Sequence, residues 1–219
     1  MTDDPAFVTA LDRGAVPPTA ALAVELASRP EVRTAWEQPS AAEGMSVGAM
    51  AQHLLSQLGH LVDPAGVAVP DNVEVIGILE HYRRAAWANS SLTNDANTTI
   101  RERANRTAAE GPDAVLDLAR TRLAVIPNTV DRFGDLIYVE WQGWALAANA
   151  FLITRLMEIV VHSDDLAASV GLPLPDFPAA AFEAVTGLLT AVATRRHGQA
   201  AIIHALPRPQ RSTGPVTAF

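Results

Sequence analysis

The chain has 219 residues, 49% of them hydrophobic, which is enough to bury a sizeable core and excludes a disordered polar class. It has no Cys, so disulfides, thiolate ligands and Cys nucleophiles are excluded. The formal net charge of -8 argues against a nucleic-acid surface, which calls for a basic patch.

The pattern is helical almost throughout. Pro17-Pro18 opens a first helix over 19–28, since Pro is accepted in a first turn. The stretch 39–44 is a loop. Ser46 follows as the N-cap of a second helix that ends near Asp63-Pro64. On that helix Ser46, Ala49, His53, Ser56, Gln57 and His60 share one face, opposite Val47, Leu54, Leu55, Leu58, Leu61 and Val62. The Gly- and Pro-punctuated 64–71 stretch is a connection. A third helix is expected over 73–88, carrying His81, Arg83, Arg84 and Trp87. The polar, Asn- and Thr-rich 89–105 region reads as a loop or a frayed helix.

A fourth helix is expected over 112–126. The 131–142 segment is ambiguous, with an alternation at 137–141 that suits a short extended piece. A long helix over 145–170 follows, closed by Gly171 at its C-cap and Pro173 beyond. Further helices are expected over 179–196 and 200–206, and then a loosely held tail. Nothing at the N-terminus combines a basic start with an apolar core of signal-peptide type. No charge-free apolar run reaches the ~20 residues a membrane span needs, because Arg155 and Glu158 interrupt the best one. The expectation is one cytoplasmic, all-α domain over 1–219.

The long helix carries the strongest chemical signal. A helix turns about 100° per residue, so Glu158 and His162, four apart, point the same way and can offer one O and one N to a single cation. Thr154, Arg155, Glu158, His162 and Asp165 also fall within one arc, which an ordinary amphipathic helix would turn to water. Against that, the residues from Trp144 to Val161 are apolar around most of the cylinder, and an interior Glu needs a partner or a metal. His53 is a possible third ligand; taken alone, a His on such a face is more often solvated or hydrogen-bonded. With no Cys, a metal would sit on N and O ligands, which leaves Zn, Ni, Fe, Mn or Co open.

Two blocks carry a family resemblance. The first is Ala35-Trp36-Glu37-Gln38-Pro39-Ser40 followed by the run from Met45 through His53-Leu54. The second runs from Leu152 through Arg155, Glu158, His162-Ser163-Asp164-Asp165-Leu166 to Gly171-Leu172-Pro173. In this order they resemble the mycothiol-dependent maleylpyruvate isomerase family, part of the DinB-like superfamily of metal-binding four-helix bundles, over roughly residues 15 to 215. The resemblance implies a DinB-like bundle with a divalent metal, zinc foremost, on His53, Glu158 and His162. It also implies mycothiol as a thiol cosubstrate, a small electrophile as partner, and a monomer or homodimer. The all-Arg basic set fits the GC-rich genomes of mycothiol producers.

One departure narrows this. The family's isomerase carries a further sterol-carrier-like domain that contributes an Arg, whereas only 46 residues follow Pro173 here, too few for a domain of typical size. The expected function is therefore a broader metal-dependent transferase or isomerase that activates the thiol for attack on an electrophile. The alternatives are a hydrolase on the same ligands and a non-catalytic metal- or small-molecule-binding protein. Arg155 matches a family position and is expected to pair with Glu158 or with a substrate carboxylate. His60 is a candidate for orienting substrate or moving a proton, and Asp165 for holding a ligand His. Arg83 and Arg84 are weaker anion-binding candidates. Trp36, Trp87, Trp141 and Trp144 are expected to pack.

Overall fold

A computed structural model describes residues 4–85 and 95–219. Ten α-helices and one two-stranded antiparallel sheet are found among these residues. Trp87 and the 89–94 stretch lie outside them.

The chain starts with short α1 (Ala6–Thr9), then α2 (Val16–Ala27), whose Pro17 and Pro18 occupy its first turn as expected, and short α3 (Pro30–Thr34). In α4 (Val47–Val62) Ser46 is the N-cap, and its Oγ accepts from the Ala49 amide at 3.0 Å. Helix α5 (Ile78–Arg84) is shorter than the expected 73–88, and Asp4 Oδ1 accepts its first amide, that of Ile78, at 2.8 Å. The polar segment after it is not a loop from residue 95 onward: it forms α6 (Asp95–Ala108). Tertiary contacts hold this helix where composition offers little. Asn105 Nδ2 donates to the Gly44 carbonyl, Trp36 Nε1 donates to the Ala108 carbonyl, and Ala104 and Ala108 are buried.

Helix α7 (Pro112–Asp131) runs past the expected end at Ile126 and contains Pro127. Pro127 removes the amide that would bond Leu123. Ile126 and Val130, one turn apart and both buried, keep this last turn on the core. Strands β1 (Leu136–Val139) and β2 (Trp144–Ala147) pair with Ile137 opposite Leu146. The alternation at 137–141 was therefore a strand signal, but 144–147 is also extended, and α8 (Ala148–Val170) starts later than expected. One set of bonds accounts for both late starts: Ala145 N donates to the Glu74 carbonyl and Ile76 N to the Ala145 carbonyl. Residues 74–76 and β2 thus draw each other out of the helices their composition favours. Helices α9 (Ala179–His197) and α10 (Gln199–Ala205) complete the chain. The tail folds back, with the Phe219 ring 5.6 Å from that of Tyr82.

The core lies where α4 and α8 pack on each other, with α2 against both, and α7 against α2 and α4. Leu54, Leu58, Leu61, Leu152, Leu156 and Ile159 meet there with no solvent exposure. From Ala150 to Val160 every residue of α8 is buried. Among the described residues no helix is long and apolar enough to cross a membrane.

Candidate metal centre

Because α8 is buried on all sides along its middle, its polar residues cannot turn to water. Thr154, Arg155 and Glu158 are buried, so the stripe faces inward and the solvated reading does not hold for them. Opposite them stands the His53 face of α4, whose Gln57 is buried as well. The two faces meet.

His53 Nε2 and His162 Nε2 are 3.1 Å apart, and His162 Nε2 is 3.1 Å from Glu158 Oε2. The ligand atoms of His53, Glu158 and His162 all lie within 4.8 Å of one another. With metal–ligand distances of ~2.0–2.1 Å, ligand–ligand edges are roughly 3.3 Å in a tetrahedron and roughly 2.9 Å in an octahedron. The two 3.1 Å separations fall between these values. His162 Nδ1 is 2.9 Å from Asp165 Oδ2, so Nδ1 directs its proton to that carboxylate and Nε2 is the atom turned to the cluster, its proton the one a cation would displace. Donor set, spacing and tautomer all fit a divalent cation.

The electrostatics point the same way. Burial pushes His53 down to about 4, assisted by the charge of His162, so it is neutral and suited to be a ligand. Burial opposes the charged forms of Glu158 and His162. For Glu158 it is outweighed by the hydrogen bond and charge of His162, with Arg155 adding to them, and for His162 by the Asp165 and Glu158 carboxylates, so Glu158 lies below and His162 above its usual range. The cluster favours a positive charge between its carboxylates.

Arg155 and His60 lie beside this group and do not join it. Arg155 Nη1 donates to Gln57 Oε1 at 2.7 Å and lies 3.5 Å from His60 Nδ1, and no ion pair to Glu158 forms. Gln57 is the residue that sequence reasoning missed: it holds Arg155, approaches His60 Nδ1 at 3.3 Å and donates to the His53 carbonyl. Its place on the His53 face was its one signal. His81 was also missed as a buried group. Its Nδ1 accepts from Trp144 Nε1 at 3.2 Å, which fixes its tautomer. Arg83 bonds Glu80, and Arg84 bonds Glu74 and Glu80, so the weaker anion-binding candidates are engaged with carboxylates. Trp36 packs as expected. Trp141 is half exposed, its ring 5.3 Å from that of His60.

No protein-family model, no curated protein and no solved structure matches this chain.

Proposed function

We propose that this chain is a DinB-like four-helix bundle enzyme that holds a divalent cation, zinc foremost, on His53, Glu158 and His162. In this reading it activates a low-molecular-weight thiol for transfer to, or isomerisation of, a small electrophile, and mycothiol is the thiol that the sequence resemblance implies. The observation that carries the reading is the convergence of two neutral-capable imidazoles and one buried carboxylate from α4 and α8. The packing of α2, α4, α7 and α8 supports the bundle.

A divalent cation with three protein ligands keeps a position open for an exogenous group, and its charge favours the deprotonated form of a thiol. The absence of Cys means that a thiol nucleophile has to be brought in by a cosubstrate. Around that position the chain's own residues have defined work. Asp165 fixes the His162 ring, burial keeps His53 neutral, and Glu158 supplies the one anionic ligand. Arg155, one turn before Glu158, adds positive potential that favours anionic reactants and products.

The test is a cobalt-substituted protein titrated with mycothiol or a truncated analogue. A sulfur-to-metal charge-transfer band with release of about one proton per thiol is the expected outcome, and Glu158→Gln should weaken both. A spectrum indifferent to thiol removes the transferase reading, and thiol-independent turnover of an ester or amide would then favour a hydrolase.

A further inference from the structure

His60 sits in the last turn of α4, and arginines on three other helices act on it: Arg155 of α8, Arg103 of α6 and Arg122 of α7. From α8 comes Arg155, only 8% exposed. A buried guanidinium ordinarily pairs with a carboxylate, since an unpaired buried charge is strongly disfavoured. Here the hydrogen-bond partners are neutral: Gln57 Oε1 at 2.7 Å, Thr154 Oγ1 at 3.1 Å and, at 3.5 Å, His60 Nδ1. Among the described residues no carboxylate lies at ion-pair distance from it.

From α7 comes Arg122, seated on the residue before His60. A Cβ at Gly59 would lie 2.5 Å from Arg122 Cζ and 2.6 Å from its Nη1, so the guanidinium rests on the α4 backbone where only glycine leaves room. Arg122 also has no carboxylate partner among the described residues. Burial and then the charges of Arg155, Arg103 and Arg122 push His60 down to about 4, against Glu158 alone. A chain with 24 acidic and 16 basic residues has thus left arginines without counter-charges at one spot beside the candidate metal centre. Half-exposed Trp141, over His60, marks the side on which this spot approaches solvent.

We infer that Arg155 and the Gly59-seated Arg122 form, around His60 and Gln57, a binding site for an oxyanion, so that the reactant processed at the neighbouring centre carries a carboxylate or a phosphate. Gln57 holds the inner guanidinium in place and Gly59 admits the outer one. The planar forks of two arginines suit the oxygens of such a group. The assignment of a reactant rests on the proposed metal chemistry; the anion site itself does not.

Calorimetric titration of the full chain, metal-loaded and metal-free, with inorganic phosphate and separately with succinate tests this. At least one of the two should bind with Kd in or below the millimolar range. Binding of phosphate alone assigns a phosphate-bearing reactant, binding of succinate alone a carboxylate, and mutual competition a site for either. Arg155→Gln and Arg122→Gln should each weaken binding about ten-fold or more, as loss of a charge-assisted pair does. Gly59→Ala removes no charge and favours the helix, yet should weaken binding several-fold by displacing Arg122. Exposed Arg196→Gln should leave it unchanged. If Arg155→Gln does not fold, Arg122→Gln and Gly59→Ala carry the test. No binding of either anion, or binding indifferent to both of those variants, overturns the inference. Metal content measured on the same samples separates the outcomes: anion binding by a wild-type chain that takes up no divalent metal keeps the anion site and removes the metal reading.

Discussion

The imidazoles of His53 and His162, 109 positions apart in sequence, bring their Nε2 atoms to 3.1 Å. With His162 Nδ1 engaged by Asp165, a shared cation would satisfy both nitrogens and the Glu158 oxygen at once. Each member of this group therefore has a testable share in holding such an ion.

Elemental analysis should find about one equivalent of divalent metal per chain, and His53→Ala or His162→Ala should abolish it. The helical circular dichroism of both variants should persist, because α4 and α8 are held by their apolar faces. Unchanged metal content in both would remove the site.

Asp165→Asn leaves the three ligands intact but removes the carboxylate that orients His162. Metal affinity should fall about 10- to 100-fold, read by competition with a chromophoric chelator. Equal affinity would show that Asp165 serves only the helix surface.

Buried His81 gives a pH signature apart from the metal ligands. Burial, then the charge of Arg155, lowers its pKa from 6.5 to about 4. The unfolded chain therefore takes up a proton between these values and the folded chain does not. The His81 contribution to stability should be full above about pH 6.5 and fall toward pH 4, at roughly 1.4 kcal/mol per pH unit for one such group. His53 and His60, lowered in the same direction, steepen the fall. His81→Asn, whose Oδ1 can accept from Trp144 in place of Nδ1, should flatten the denaturant midpoint's dependence on pH over this window. An unaltered slope would count against a neutral, buried His81.

Gly48 and Gly59 both lie on α4 and should respond oppositely to Ala. At Gly48 a Cβ would come within 2.4 Å of Trp36 Cε2, part of a rigid buried indole tied to the Ala108 carbonyl. Gly48→Ala should destabilise the fold by about 1–3 kcal/mol through overpacking, despite the better helix propensity of Ala. Gly59→Ala meets only the mobile end of Arg122 and should leave stability equal or raised by up to about 1 kcal/mol. Chemical denaturation of the pair checks both, and a stable Gly48→Ala variant would contradict the packing of Trp36.

The sequence by itself determined the helices that carry the candidate site, because their signals are local. Ser46 as N-cap, the apolar face of α4, and the Gly171 stop of α8 act within a turn or two of chain, and each stands where it was read. The four-residue spacing of Glu158 and His162 is likewise a property of one helix. Only the tertiary structure decided which way those faces turn. Arg155 and Glu158 could belong to a wet stripe until α4 packs across them, and Gln57 becomes a partner of Arg155 only through that packing. The same holds for the late starts of α5 and α8, where hydrogen bonds between Ala145 and the 74–76 segment override local propensity. Likewise, the polar α6 is anchored through Asn105 and Trp36. Long-range contacts such as these join residues whose spacing along the chain carries no periodic signal, so pattern alone cannot announce them.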